Sequence, residues 1–218
     1  MLTVMATPAA SGSAQPGGDR RSPAKHAAIL KAATEVFLRE GYARASVDAI
    51  AEAAGVGKQT VYGHFGDKQQ LFLAVVERAH ATSPLDLADL ITDTGDPRAD
   101  LTAAAKWVIR GVTTPEIAAL HRLTIAELTH HPELQRSWRD DQRGRSVIDA
   151  IAAYLAACDR RGTLTVPDPQ TAARQFTWLA STEAQVRSLR GIEPLSSREI
   201  SSIARDTATL IVRAHQPK

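Results

Sequence analysis

The chain has 218 residues, 44% hydrophobic, 23% charged and 5% aromatic, which is enough apolar material for a buried core and excludes a mainly disordered chain. A single cysteine excludes a disulfide framework and paired-cysteine zinc fingers, and 26 Lys+Arg against 24 Asp+Glu permits nucleic-acid binding without arguing for it. No apolar run reaches the roughly 18 residues of a membrane span, and the N-terminus lacks the basic region of a secretory signal, so the chain reads as soluble and cytoplasmic with no membrane partner.

Residues 1–21 are rich in Ala, Ser, Gly and Pro, show no periodicity, and read as a disordered tail ending in Arg20 and Arg21. Ser22-Pro23 then pairs a capping oxygen with a proline suited to the first helical position, and Ile29, Ala33 and Phe37 share one helical face up to Gly41. Two short helices follow within 46–65, and Asp67 with Gln70 has capping-box spacing for a connecting helix over 67–82. The acidic series Asp86, Asp89, Asp93, Asp96 and Asp100 reads as solvated surface. Further starts stand at Asp96-Pro97, Thr114-Pro115, His131-Pro132, Asp168-Pro169 and Ser196 with Glu199; Gly162 and Gly191 read as stops. Val147, Ile151, Tyr154, Leu155 and Cys158 make another helical stripe. Only Thr163–Val166 looks β-like, so the expected fold is all-α, with about nine helices.

The informative stretch is SVDAIAEAAGVGKQTVYGHFGDKQQL, residues 46–71. Ser46 suits the cap of a first helix and Asp48 its positive end. Ile50, Ala51 and Ala54 allow a close crossing, Gly55 supplies the turn, and Val56 fills the corner. The next helix, about Lys58–His64, is too short to stand alone. Val61 and Phe65 point to what holds it, while Lys58, Gln59, Thr60, Tyr62 and His64 offer a cation, an amide, a hydroxyl, a phenol and an imidazole to a major groove.

This segment resembles the DNA-binding part of TetR-family transcription regulators, whose pattern is roughly T/S-V-x-x-I-A-x-x-A-G-V-S-x-x-T-L/V-Y-x-H/Y-F-x-x-K-x-x-L. The chain matches it at Ser46, Val47, Ile50, Ala51, Ala54, Gly55, Val56, Thr60, Val61, Tyr62, His64, Phe65, Lys68 and Leu71. The preceding AAILKAATEVFLREGY is similar to the family's first helix. Gly57 departs from the pattern, removing a capping hydroxyl and one phosphate contact. The resemblance implies a small three-helix helix-turn-helix domain over 22–66 and a larger helical domain over 83–218 for dimerisation and effector binding. From position and chemistry, Lys58 and Gln59 are the expected base readers; Thr60, Tyr62 and His64 are expected at phosphate or sugar, Lys68 at phosphate, and Arg44 and Ser46 on the neighbouring strand.

By the same resemblance, helices over about 169–190 and 197–214 are expected to pair with a second subunit. The segment HPELQRSW…G-T-L…DPQTAARQF is somewhat similar to the C-terminal domain of the AefR-like subgroup. Trp107, His121, Trp138, Tyr154 and Trp178 are the candidate walls of an effector pocket, since aromatic surfaces with a few polar groups suit small organic ligands. Core packing is the competing fate of each. His121, His130 and His131 lack ligand spacing for a metal, and Cys158 reads as inert core. No catalytic or cofactor motif is present, so no cofactor and no enzyme activity is expected.

The expected partners are thus a double-stranded DNA operator, a second copy of the chain and a small apolar or aromatic effector. The expected function is a repressor that binds a palindromic operator as a homodimer and leaves it when the effector binds. The competing readings are a ligand-independent architectural DNA binder and a protein-interaction module that has lost DNA binding.

Overall fold

The structure, a computed structural model, describes residues 22–81, 85–127, 129–132, 135 and 142–217. Nine α-helices and one short 3-10 turn occur among these residues, and no strand. We number the helices α1 (Pro23–Glu40), α2 (Val47–Ala53), α3 (Lys58–Phe65), α4 (Lys68–Ala81), α5 (Pro97–Thr113), α6 (Pro115–Glu127), α7 (Gln142–Arg160), α8 (Pro169–Arg187) and α9 (Ser197–Ala214). The tail over 1–21 lies outside the described residues.

Most helix starts are fixed by the side chains the sequence singles out. Asp96 accepts from the Arg98 and Ala99 amides, Asp168 from Thr171, and Asp67 from Gln70 at 2.7 Å. Ser196 and Glu199 close both halves of a capping box. Two starts are built differently. Ser22 makes no side-chain cap, leaving Pro23 to set the first turn of α1. The Thr114 hydroxyl donates back to the Arg110 carbonyl at 3.0 Å, so it closes the end of α5 rather than opening α6.

Two hydrophobic cores organise the packing. The first gathers α1–α4 around Ile29, Phe37, Ile50, Leu71 and Phe72, all fully buried. It also takes in Ile117 and Leu120 of α6, so α6 sits partly within the core of the N-terminal unit. The second joins α5, α7, α8 and α9 through Leu101, Ile109, Ile151, Leu155, Phe176 and Ile203. Thr163–Val166 is an irregular connection: its Thr165 amide donates to the His215 carbonyl at 2.8 Å, tying the end of α9 to the loop before α8.

The acidic series is only partly solvated, against the sequence expectation. Asp86 caps the 3-10 turn, Asp93 pairs with Arg161 at 2.6 Å, and Asp96 caps α5. Asp100 is buried and accepts from the Thr94 amide, the Thr94 hydroxyl and the Tyr154 hydroxyl. The helix expected over 169–190 stops at Arg187, because Leu189 and Arg190 take positive φ values of 47° and 55° before Gly191.

Candidate nucleic-acid interface

The helix-turn-helix is assembled from the inside out. Ser46 caps α2 by accepting from the Ala49 amide at 3.0 Å. Gly55 turns the chain at φ 64°, a region in which a side chain would be strained. Gly57 opens α3 with extended backbone and no side-chain cap, as its identity predicts. Behind α3, Val61 and Phe65 are buried in the N-terminal core. An eight-residue helix with weak self-stability is thereby held rigid by two anchors. We expect Ser46→Ala to cost about 1 kcal/mol through the lost α2 cap, read as a lowered unfolding midpoint in urea.

Away from those anchors, Gln59 and Tyr62 form the open edge of α3 together with Lys58 at the exposed first position, and Tyr62 is 42% exposed. Thr60 is half-buried beside them. Lys58 is not idle: its ammonium meets the Asp48 carboxylate at 2.9 Å across the turn. That hydrogen bond, and then the carboxylate's charge, hold the Lys58 pKa above its ordinary value. A base contact from Lys58 is therefore made by its remaining N–H donors or in competition with this pair. Helical periodicity gives no hint of it, since the partner lies ten positions back on a different helix.

The remaining candidates sit around this edge in different states. His64 is half-buried, its ring 5.7 Å from His26 at the start of α1 and 6.0 Å from Phe65. Its ring is therefore set against α1 instead of standing on the open edge with Lys58 and Gln59. Arg44 donates from Nε to the Glu40 carbonyl at the end of α1, at 3.0 Å. Lys68, at the first position of α4, donates to the Ala43 carbonyl at 3.2 Å and stands 4.7 Å over the Tyr42 ring. Burial lowers its pKa. Tyr42 is thus the platform for this cation, a role its bare Gly41-Tyr42 context did not reveal. The cation is fixed at the mouth of the α1–α2 turn, beside the amide end of α4.

The four described candidates for an effector pocket, Trp107, His121, Tyr154 and Trp178, are dispersed. Trp107 is buried and donates its indole N–H to the Asp86 carbonyl at 3.0 Å. Tyr154 is buried against Asp100 at 2.7 Å. Burial first, and the Asp100 carboxylate second, raise the Tyr154 phenol above its ordinary pKa, so it remains a donor. His121 is half-buried on α6, and Trp138 lies outside the described residues. Trp178 is 59% exposed on α8, where it lines a shallow apolar groove with Leu179, Val186, Leu210, Ile211 and Ala214. Trp107, His121 and Tyr154 do not line that groove.

Comparison with known proteins decides the family. Residues 29–75 match the bacterial regulatory proteins of the tetR family, and residues 99–217 match the C-terminal domain of AefR-like transcriptional repressors. The chain belongs to the TetR family. These are transcription regulators, not enzymes. A stretch of 95 residues is 37% identical to the HTH-type transcriptional activator FasR of Mycolicibacterium smegmatis, covering 41% of this chain and 43% of that one. A stretch of 136 residues is 32% identical to the DNA-binding transcriptional repressor TetR of Mycobacteroides abscessus, covering 62% of each. The chain thus spans less than two thirds of either relative. Among solved structures, the flavonoid-responsive regulator FrrA superposes with a TM-score of 0.74 at 25% identity, over 90% of this chain and 100% of FrrA. A TetR-family regulator of Mesorhizobium loti gives 0.71 at 26% identity with the same coverage. No helix among the described residues is long and apolar enough to cross a membrane.

Proposed function

We propose that the protein is a cytoplasmic, sequence-specific DNA-binding repressor that reads a palindromic operator as a homodimer and is released by a small apolar or aromatic effector. The observation that carries the DNA reading is the open edge of α3, where Lys58, Gln59 and Tyr62 project from a helix anchored by Val61 and Phe65. A cation, a planar amide and a phenol at the tip of a rigid helix suit base edges and phosphates of a major groove. Two such helices per dimer would read two half-sites about one helical turn apart. The exposed apolar residues Trp178, Val186 and Leu210 of α8 and α9 support pairing with a second copy along that face. The AefR-like match supports repression, and the flavonoid response of FrrA supports an aromatic effector. In this reading the effector binds the DNA-incompetent arrangement of the two reading units more tightly.

The test is fluorescence anisotropy on labelled duplexes from the DNA upstream of the protein's own gene, beside a scrambled duplex, at two salt concentrations. Tight, salt-weakened binding to one segment establishes a specific regulator and supplies the operator for effector screens. A specific complex that no ligand alters would favour the ligand-independent architectural binder. No binding to any duplex at low salt would favour the protein-interaction module. On the operator, Gln59→Ala should cost about 1–3 kcal/mol and relax specificity at one base pair. Lys68→Ala should weaken binding to operator and scrambled duplex alike and flatten the salt dependence by about one unit of slope. Unchanged binding by both variants would displace the reading surface from α3.

A further inference from the structure

The connection between α8 and α9 is unusual, and it touches α6, the helix that reaches into the N-terminal core. Three consecutive residues, Leu189, Arg190 and Gly191, have φ values of 47°, 55° and 80°. A bulky residue such as leucine rarely adopts that region, and such outliers persist only where surrounding contacts hold them. Here the buried Ser188 accepts from the Gly191 amide on its hydroxyl and from the Glu193 amide on its carbonyl, both at 2.9 Å.

The turn is then fastened to α6. Arg122 donates from its guanidinium to the Arg190 carbonyl at 2.6 Å, across 68 residues of sequence. Gly191 lies so close to Ala118 that a Cβ at position 191 would overlap the Ala118 methyl group. Ala118 and Arg122 share one face of α6, while Ile117 and Leu120 on the neighbouring face are buried in the core of the DNA-reading unit. On the turn's outer side, Leu189 and Ile192 are 52% and 64% exposed and continue the apolar character of Val186.

We infer that Arg122 is a positioning residue: by clasping the α8–α9 turn it sets the orientation of α6, and with it the angle at which the reading unit is carried relative to the α8–α9 face. This rests on the dimeric reading proposed above. A second subunit on that face presses the turn from outside through Leu189 and Ile192, and Arg122 transmits its position inward. The clasp contributes nothing to any base or phosphate contact. It decides whether two recognition helices reach two half-sites together, which is a matter of effective concentration and not of contact strength.

That distinction gives the test. Wild type, Arg122→Ala and Arg122→Lys are titrated onto a full operator duplex and onto a duplex with a single half-site. Arg122→Ala should lose about tenfold or more on the full site and stay within twofold on the half-site. Arg122→Lys, which keeps a donor, should recover part of the loss. Gly191→Ala should repeat the Arg122→Ala pattern, because its Cβ levers the turn off Ala118. An independent readout comes from a spin label at the exposed Glu52 of α2, introduced as Glu52→Cys; the native Cys158 is fully buried and so unreactive to the reagent. The distance distribution between the two labels of the DNA-free dimer should broaden in Arg122→Ala. An Arg122→Ala protein with an undiminished full-site advantage overturns the inference, as does an equal loss on both duplexes. If wild type itself gains nothing from the second half-site, the dimeric reading fails, and the inference fails with it.

Discussion

Phe37→Ala should abolish operator binding while leaving the C-terminal helical unit folded. Phe37 is fully buried in α1, with its ring 5.8 Å from Tyr42 and 5.1 Å from Phe72, so it joins α1 to the turn before α2 and to α4. Truncating such a ring costs about 3–5 kcal/mol, combining lost transfer energy with the cavity left behind. The N-terminal unit has a small core, so a loss of that size is most or all of its local stability. The recognition helix is anchored by Val61 and Phe65 in that same core. The C-terminal core shares no residue with it. Thermal unfolding followed by circular dichroism should therefore split into two transitions, the first moved down sharply and the second close to wild type. A single cooperative transition lowered as a whole would mean that α6 binds the two cores into one folding unit. Retained operator binding would mean that the recognition helix is supported by something other than this core.

Local signals and long-range contacts divide what the sequence could show. Capping at Ser46, Asp67, Asp96, Asp168 and Ser196 operates within three residues, so each was visible from spacing, and the structure places each cap there. The helix-turn-helix was legible for the same reason: its buried anchors and its turn glycine lie within one short segment. Thr114 shows the limit of that logic, because a hydroxyl there can accept from an α6 amide or donate to an α5 carbonyl, and here it donates to the end of α5. The end of α8 was not legible either. Leu189 and Arg190 are ordinary residues in positive-φ conformations, held by Ser188 and by Arg122 of another helix, and no local rule marks them.

The same division explains the site. Gln59 and Tyr62 follow from helical geometry, since they lie off the face of Val61 and Phe65, whereas Lys58 shares that face by spacing and is exposed because it is the first residue of α3. The Asp48 partner of Lys58, the Tyr42 platform under Lys68 and the His26 contact of His64 depend on how separate helices meet. The tryptophans make the point most plainly. Trp107 and Trp178 lie on helices with similar apolar spacing, yet one donates its N–H inside the fold and the other stands 59% exposed. Periodicity marks an apolar face; it does not say whether that face meets the same chain or a second one.

Asp100→Asn should be the most damaging single-atom change in the C-terminal unit, and its effect should depend on pH. Burial pushes the Asp100 carboxyl upward, but hydrogen bonds from Thr94 and Tyr154 outweigh it and hold the pKa below the ordinary carboxylate value. The carboxylate is therefore the folded-state species at neutral pH, accepting from three donors at once. An asparagine offers one acceptor oxygen and turns an NH2 group toward donors that have lost their acceptor. Leaving the buried Tyr154 hydroxyl facing that NH2 group, while the exposed Thr94 loses its acceptors, costs about 2–3 kcal/mol in total, or about 4–12 °C in melting temperature for a chain of this size. A group whose pKa is depressed by folding stabilises the native state above its unfolded value, near 3.9, and loses that contribution as pH falls through the folded value. The gap between wild type and Asp100→Asn should thus be widest near neutrality and close progressively below about pH 4. Tyr154→Phe separates the parts: it removes one donor and leaves Thr94 satisfied, so it should cost about 1 kcal/mol and retain most of the pH dependence. Urea unfolding of the three proteins across pH 3 to 7 reads all of this directly. A gap that stays constant with pH would show that Asp100 stabilises through shape and neutral hydrogen bonding, and that its charge contributes nothing.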